Sequence, residues 1–108
     1  MEFKNVKLEI YTPEEYIVPL RDALHEVGAG QIGEYDHVMS YTHVQGSWRP
    51  LQDAQPYNGE IGEICTGTEC RMDMAVPYER LEEALSIIHQ IHPYEKPVIF
   101  VVPLLHDL

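Results

Sequence analysis

A single α+β domain, in the order strand, helix, strand, strand, helix, strand, is what this sequence predicts. Three observations carry it. Polar and apolar residues alternate in residues 6–11 and again in 69–76, a proline-led apolar stripe at helical spacing follows each of those runs, and 108 residues suffice for one core but not two. The whole of 1–108 is therefore read as one domain.

In residues 6–11, Val6, Leu8 and Ile10 alternate with Lys7, Glu9 and Tyr11, the period of a strand with one buried face. Thr12, Pro13 and Glu15 then supply a capping residue, a proline at the first helical position and a glutamate three residues after the cap. Ile17, Leu20, Leu24 and Val27 make one stripe along the helix predicted there, and Gly28 is its expected stop. Pro19, inside this helix, removes a backbone donor and is expected to kink it.

Gly28, Gly30 and Gly33 punctuate GAGQIGEYD, residues 28–36. A dinucleotide fingerprint needs its glycines between a strand and the start of a helix, whereas these follow a helix, so a tight helix-to-strand turn is the reading. Residues 37–44 are β-branched and aromatic enough for a second strand, with His37, Met39, Tyr41 and His43 on one face. At roughly 7 Å between same-face neighbours, His37 and His43 then stand too far apart to share a metal.

Residues 45–62 hold Gly46, Pro50, Pro56 and Gly59 without an apolar period, which predicts a long arm between strands two and three. Trp48 lies in it and needs surface to pack on, for which a neighbouring subunit is the simplest supply. In the third strand, Cys70, Met72, Met74 and Val76 face one way, a row that reads as core and not as a soft-metal stripe. Pro77 opens a second helix striped by Leu81, Ala84, Leu85, Ile88 and Ile91, and Pro93 ends it. Residues 98–105 are almost continuously apolar, as in a strand buried on both faces. This is the ferredoxin-like βαββαβ layout. It leaves one sheet face without helices, and with Met39, Tyr41 and the last strand expected there, that face asks for a partner.

Eighteen acidic against seven basic residues give a formal charge of −11, which repels nucleic acid and anionic membrane surfaces and favours cations or basic partners. No apolar run approaches the ~20 residues of a membrane span, and the first residues lack a signal-peptide core. A cytoplasmic protein is expected. Cys65 and Cys70 are spaced too widely for a CxxC pair and are read as reduced structural thiols.

The densest chemistry is HQIHPYEKP, residues 89–97. His89 and His92 stand at i and i+3 near a helix end, and Glu95 is near enough to complete a three-ligand set with them. The competing reading is a corner in which His92 caps the helix while Tyr94 and Glu95 tie it to a neighbouring loop. No serine has a nucleophile-elbow context and no HExxH helix or phosphate loop is present, so no catalytic residue is assigned and no enzyme is expected.

His92, Pro93, Tyr94, Glu95 and Pro97 resemble the HPYExP corner of the CutA proteins, small trimeric proteins associated with divalent cation tolerance. A longer resemblance, carried by Gly28, Ala29, Gly30, Ile32, Gly33, Tyr35 and Asp36, by Gly46, Pro50, Gly59, Gly62 and Glu63, and by HPYE with Pro97, is to the CutA-like (PII-like) domain of the YqfO-like, or NGG-interacting-factor-three-like, family. That domain also occurs free-standing. Full-length members carry a two-metal site in domains that flank it, and neither flank is present here. Trp48 stands where that family has phenylalanine. The resemblance implies a homo-oligomer, a trimer above all, with clefts between subunits for a small ligand or protein partner at His92, Tyr94, Glu95, Gly28, Gly30, Gly33 and Trp48. A divalent metal, copper, zinc or nickel, held by His92, Glu95 and His89, is the alternative.

Overall fold

The computed structural model describes residues 2–108. Four antiparallel strands form one sheet in the order β2-β3-β1-β4. They are β1 (Asn5–Thr12), β2 (Ser40–Trp48), β3 (Cys65–Pro77) and β4 (Ile99–Leu104), with α1 (Ile17–His25) after β1 and α2 (Leu81–Ile91) after β3. This is the α+β ferredoxin-like order read from the sequence. Among the described residues no helix is long and apolar enough to cross a membrane.

The core is one layer between sheet and helices. Val6, Leu8 and Ile10 of β1 stand beside Val76, Met74 and Met72 of β3 in register, and all six are buried. Ile17, Leu20 and Leu24 of α1 and Ala84 and Ile88 of α2 cover them. The two alternating runs and both helical stripes thus meet as their periods require. Cys70 joins this layer as a buried free thiol.

Both helices begin differently from expectation. Each is preceded by a single 3-10 turn, Glu14–Tyr16 and Tyr78–Arg80, and neither has a side-chain cap. Thr12 is not a cap: it is the fully buried last residue of β1, and its hydroxyl donates to the Pro13 carbonyl at 3.2 Å. With α1 starting at Ile17, Pro19 falls in the first turn, where a backbone N–H has no intrahelical acceptor, so the expected loss of a helical bond does not arise.

After α1 the chain turns at Gly28 (φ +84°), with the Ala29 N–H bonded to the Leu24 carbonyl. Gly30 presses against β3: its N–H donates to the Ala75 carbonyl at 2.8 Å, and its own carbonyl accepts from Val38 N–H at 2.9 Å. Gly33 (φ +58°) closes the small turn bridged by Ile32 and Tyr35. Strand β2 begins at Ser40, three residues later than predicted, because His37 takes a left-handed backbone (φ +57°) that a strand cannot contain. His37 therefore does not share a strand face with His43.

Three expectations about the sheet surface are corrected. Tyr41 is paired with Met72 and so lies on the helix side, and Met39 packs against the core. Trp48 is the last residue of β2, and its own loop supplies its packing surface: Nε1–H donates to the Asn58 carbonyl at 3.0 Å, and the indole lies over Gly59 and Gly67. Strand β4 is not buried on both faces but is an edge strand paired with β1 alone, with Phe100, Val101 and Val102 exposed. Pro103 fits that position, since an edge strand has one row of amides with no ladder to join.

Pairing of β1 with β3 ends at Thr12 and Cys70, because Pro13 has no N–H to donate. Beyond that point residues 44–48 pair only with 65–69 and form a two-stranded arm, which the loop 49–64 closes. The predicted arm is present, with its first part recruited into strand.

Gly30→Ala tests the docking of the turn on β3. A Cβ there would meet Met74 Cε at 2.5 Å and the backbone N and O of Val38 at 3.0 Å, on a left-handed residue (φ +78°). Strain and overpacking together should cost about 2–4 kcal/mol in urea unfolding, with the slope unchanged.

Candidate functional site

The 92–95 corner forms because proline follows His92. The residue before a proline is driven from helical to extended backbone, and His92 (φ −64°, ψ 136°) is the first after α2 to leave the helix. That change turns its ring toward β1, where Nε2 lies 2.6 Å from the Tyr11 carbonyl. Nδ1 accepts from the Tyr94 N–H at 3.2 Å. These two bonds define the tautomer: neutral imidazole, protonated at Nε2 and accepting at Nδ1. His92 is 7% exposed.

Tyr94 and Glu95 reach in the other direction. The Tyr94 hydroxyl donates to Glu69 Oε1 of β3 at 3.1 Å, and its ring lies 5.6 Å from that of Tyr57 in the 49–64 loop and 4.6 Å from the His92 ring. Glu95 Oε2 accepts from the Gln55 N–H at 2.9 Å. The corner is a knot joining the end of α2, the end of β1, the base of the arm and the loop that closes it. Burial, reinforced by the Glu69 carboxylate, pushes the Tyr94 phenol far above its ordinary value, so it remains a donor.

Of the proposed ligand trio, His92 has both ring nitrogens engaged, Glu95 is held by the loop amide, and His89 is exposed to solvent. The three are not gathered around a common point among the described residues. Gly28, Gly30 and Gly33 lie in the turn beside β3 and Trp48 at the arm's end, and only Trp48 borders the loop that the corner holds. A hollow of about 450 Å³ lies along the arm, lined by Gln45, Gly46, Ser47, Thr66, Gly67 and Thr68. Its lining includes the hydroxyls of Ser47, Thr66 and Thr68.

Two donor groups escaped the sequence reading. Glu14, His43 and Cys70 come together where the 3-10 turn meets β2 and β3, with His43 Nε2 3.1 Å from Glu14 Oε1. Burial raises the Cys70 thiol above its ordinary value, which works against a thiolate ligand. His25, Asp36 and His37 form the other group, between α1 and the turn before β2. Each group joins residues from separate elements, and only the topology, not local spacing, could have signalled it.

No family model matches the chain. It is 36% identical over 97 residues to the GTP cyclohydrolase 1 type 2 homolog of Bacillus subtilis (strain 168), a match covering 90% of this chain and 26% of that protein. A Bacillus cereus protein related to NIF3 superposes with a TM-score of 0.82 at 24% identity, over 96% of this chain and 26% of that one. The divalent ion tolerance protein CutA1 from Ehrlichia chaffeensis superposes with a TM-score of 0.72 at 17% identity, over 100% of this chain and 88% of that one. The chain has the CutA-like fold. In sequence, this CutA-like domain resembles NIF3-related proteins and spans about a quarter of the length of the curated relatives it matches.

Burial sets the pH response of the corner. It pushes the His92 imidazole below the ordinary 6.5, more strongly than the Tyr11 carbonyl bond raises it, and His89 lowers it further. The unfolded chain then binds this proton more readily than the folded one. The stability carried by neutral His92 is complete above the ordinary value and declines as pH falls below 6.5 toward the depressed folded value. Urea unfolding between about pH 7.5 and 5 should show this loss. His92→Gln should flatten it while costing about 1–3 kcal/mol at neutral pH, because two buried bonds are disturbed. Tyr94→Phe should cost about 1 kcal/mol and speed proteolytic cutting within 49–64, with far-ultraviolet circular dichroism unchanged.

Proposed function

We propose that this CutA-like domain is a non-catalytic, homo-oligomeric binding module, a trimer in its working form, with clefts between copies that take a small ligand or a protein partner. The observation that carries the reading is the sheet face opposite the helices. There Phe100 is 51% and Val102 37% exposed, Tyr11 stacks edge-on to Phe100 with centroids 5.8 Å apart, and edge strand β4 presents one unpaired backbone row.

The polar residues on that face point the same way. Lys7 pairs with Glu9 at 3.0 Å, and Arg71 with Asp73 at 3.3 Å, all within the sheet's own surface. Arg71 Nε and Asp73 Oδ1 are shut off from solvent and, although they attract each other as charges, are not aligned as a hydrogen bond. Charges already paired in this way allow a second copy to close over the apolar residues without burying a lone charge. Three copies carry a large negative charge, so the apolar contact must outweigh mutual repulsion. The trimer is the order that the CutA likeness supports, and the arm's hollow supplies one wall of each cleft.

The GTP cyclohydrolase 1 type 2 homologs are about four times longer than the matched stretch, and a regulatory or binding role for this stretch fits that difference in length.

Static light scattering should give three times the 12.5 kDa chain mass at micromolar concentration. Phe100→Glu with Val102→Glu should weaken association by ~100-fold or more, since each buries an unpaired carboxylate, and should leave a folded monomer. A wild-type chain that stays monomeric up to millimolar concentration overturns the reading.

A further inference from the structure

The last turn of α1 and the turn before β2 bring together side chains that the corner does not use. Asp22 and His25 stand one helical turn apart on α1, while Asp36 and His37 adjoin in the chain. The two imidazoles stack with centroids 4.1 Å apart and planes 21° apart. His37 Nδ1 is 2.8 Å from Asp36 Oδ1, and its Nε2 is 3.8 Å from Asp22 Oδ1. One donor atom from each of His25, Asp36 and His37 lies within 4.8 Å of the other two.

Two independent features mark this group as more than a surface cluster. His25 Nδ1 is buried and has no hydrogen-bond partner, a cost that a native fold normally avoids. His37 is the one non-glycine residue with positive φ among the described residues, and because the packed turn around Gly30 sets that backbone, its side chain projects from a fixed position. Its neighbour is fixed from behind, since the Val38 N–H donates to the Gly30 carbonyl and Gly30 is itself bonded to β3.

We propose that His25, Asp36 and His37 form a divalent transition-metal site, with Asp22 at its rim as a further oxygen donor. Two imidazoles with one or two carboxylates favour zinc, copper(II) or nickel over magnesium or calcium, which prefer all-oxygen sets. Parallel rings do not aim their lone pairs at one point, so one ring must rotate about its terminal torsion. That torsion is soft. The Asp36 carboxylate either ligates directly or holds the His37 ring through Nδ1 while Nε2 ligates, an arrangement common around bound metals. Arg21 opposes the ion in part, because its Nε donates to Asp22 Oδ1 at 2.9 Å and must share that oxygen. The chain's net charge of −11 favours cation capture in general.

The site shares no residue with the 92–95 corner and does not depend on oligomerisation. Titration calorimetry of the whole chain with zinc, copper(II) and nickel chlorides tests it, with electron paramagnetic resonance on the copper sample. The expected result is one ion per chain at micromolar affinity or tighter, with nitrogen coupling in the copper spectrum. His25→Gln and His37→Asn should each weaken binding by at least ~10-fold. Asparagine tolerates the left-handed backbone, so His37→Asn keeps the turn, with circular dichroism as the check. His43→Gln and His92→Gln should leave binding unchanged. The proposal is overturned by affinity no tighter than millimolar, by binding that survives the His25→Gln/His37→Asn double variant, or by binding that follows His43 or His92 instead.

Discussion

The bond from His92 Nε2 to the Tyr11 carbonyl is the contact on which the arrangement around the corner depends. At this end of β1 the backbone runs out of partners. The Tyr11 N–H still reaches the Val98 carbonyl, but Pro13 ends pairing with β3 and β4 begins only at Ile99. A buried carbonyl left without a donor costs about 1–3 kcal/mol, and the imidazole supplies that donor from the end of α2. One side chain therefore satisfies the end of the central strand and fixes where the second helix stops. The same requirement holds the ring neutral, since a second ring proton would displace the Tyr94 N–H from Nδ1.

From that point the acidic composition is managed locally. Glu69 is used to hold Tyr94, Glu95 to hold the Gln55 amide, Glu83 to pair with Arg80, and Asp73 to pair with Arg71. Exposed pairs such as Arg80 with Glu83 contribute little to stability. The two carboxylates at the corner matter more for architecture, because they connect segments far apart in the chain. Excess negative charge thereby becomes a set of acceptors for loop and strand donors. The two aspartates beside His25 and His37 hold no loop or strand amide and face imidazoles instead, which sets that cluster apart from the rest.

Much of this was legible in the sequence, for identifiable reasons. Strands β1 and β3 alternate strictly because one face meets the helices, and the helix stripes follow from 3.6 residues per turn. The proline after His92 marked the end of α2, and the tie from Tyr94 and Glu95 to the loop was one of the two readings it allowed. Strand β4 misled because an apolar run does not distinguish burial by the same chain from burial by a second one. His37 misled because its neighbours are strand formers, while its own backbone is dictated by Gly30 docking on Ala75, a contact between distant segments. The donor set of His25 with His37 was invisible for the same reason, as helix and turn meet only once the sheet is built.

The arm's loop is held lightly enough to move. Its ties to the corner and to Trp48 are the Gln55 amide to Glu95, the Tyr57 ring against Tyr94, and the Asn58 carbonyl under the indole, while the Gly62 N–H bonds back to the Pro50 carbonyl. Single hydrogen bonds of this exposure contribute about 1 kcal/mol each, so opening the loop costs only a few kcal/mol and is reached on functional timescales. The core strands beyond the arm do not share that freedom, because Cys70, Met72, Met74 and Val76 of β3 are buried whereas residues 65–69 of the arm are not. Opening the loop would release its ties to Glu95 and Tyr94 while leaving the strands of the core in place. The loop's light ties and the corner's buried bonds thus divide this end of the molecule into a part that can open and a part that stays fixed.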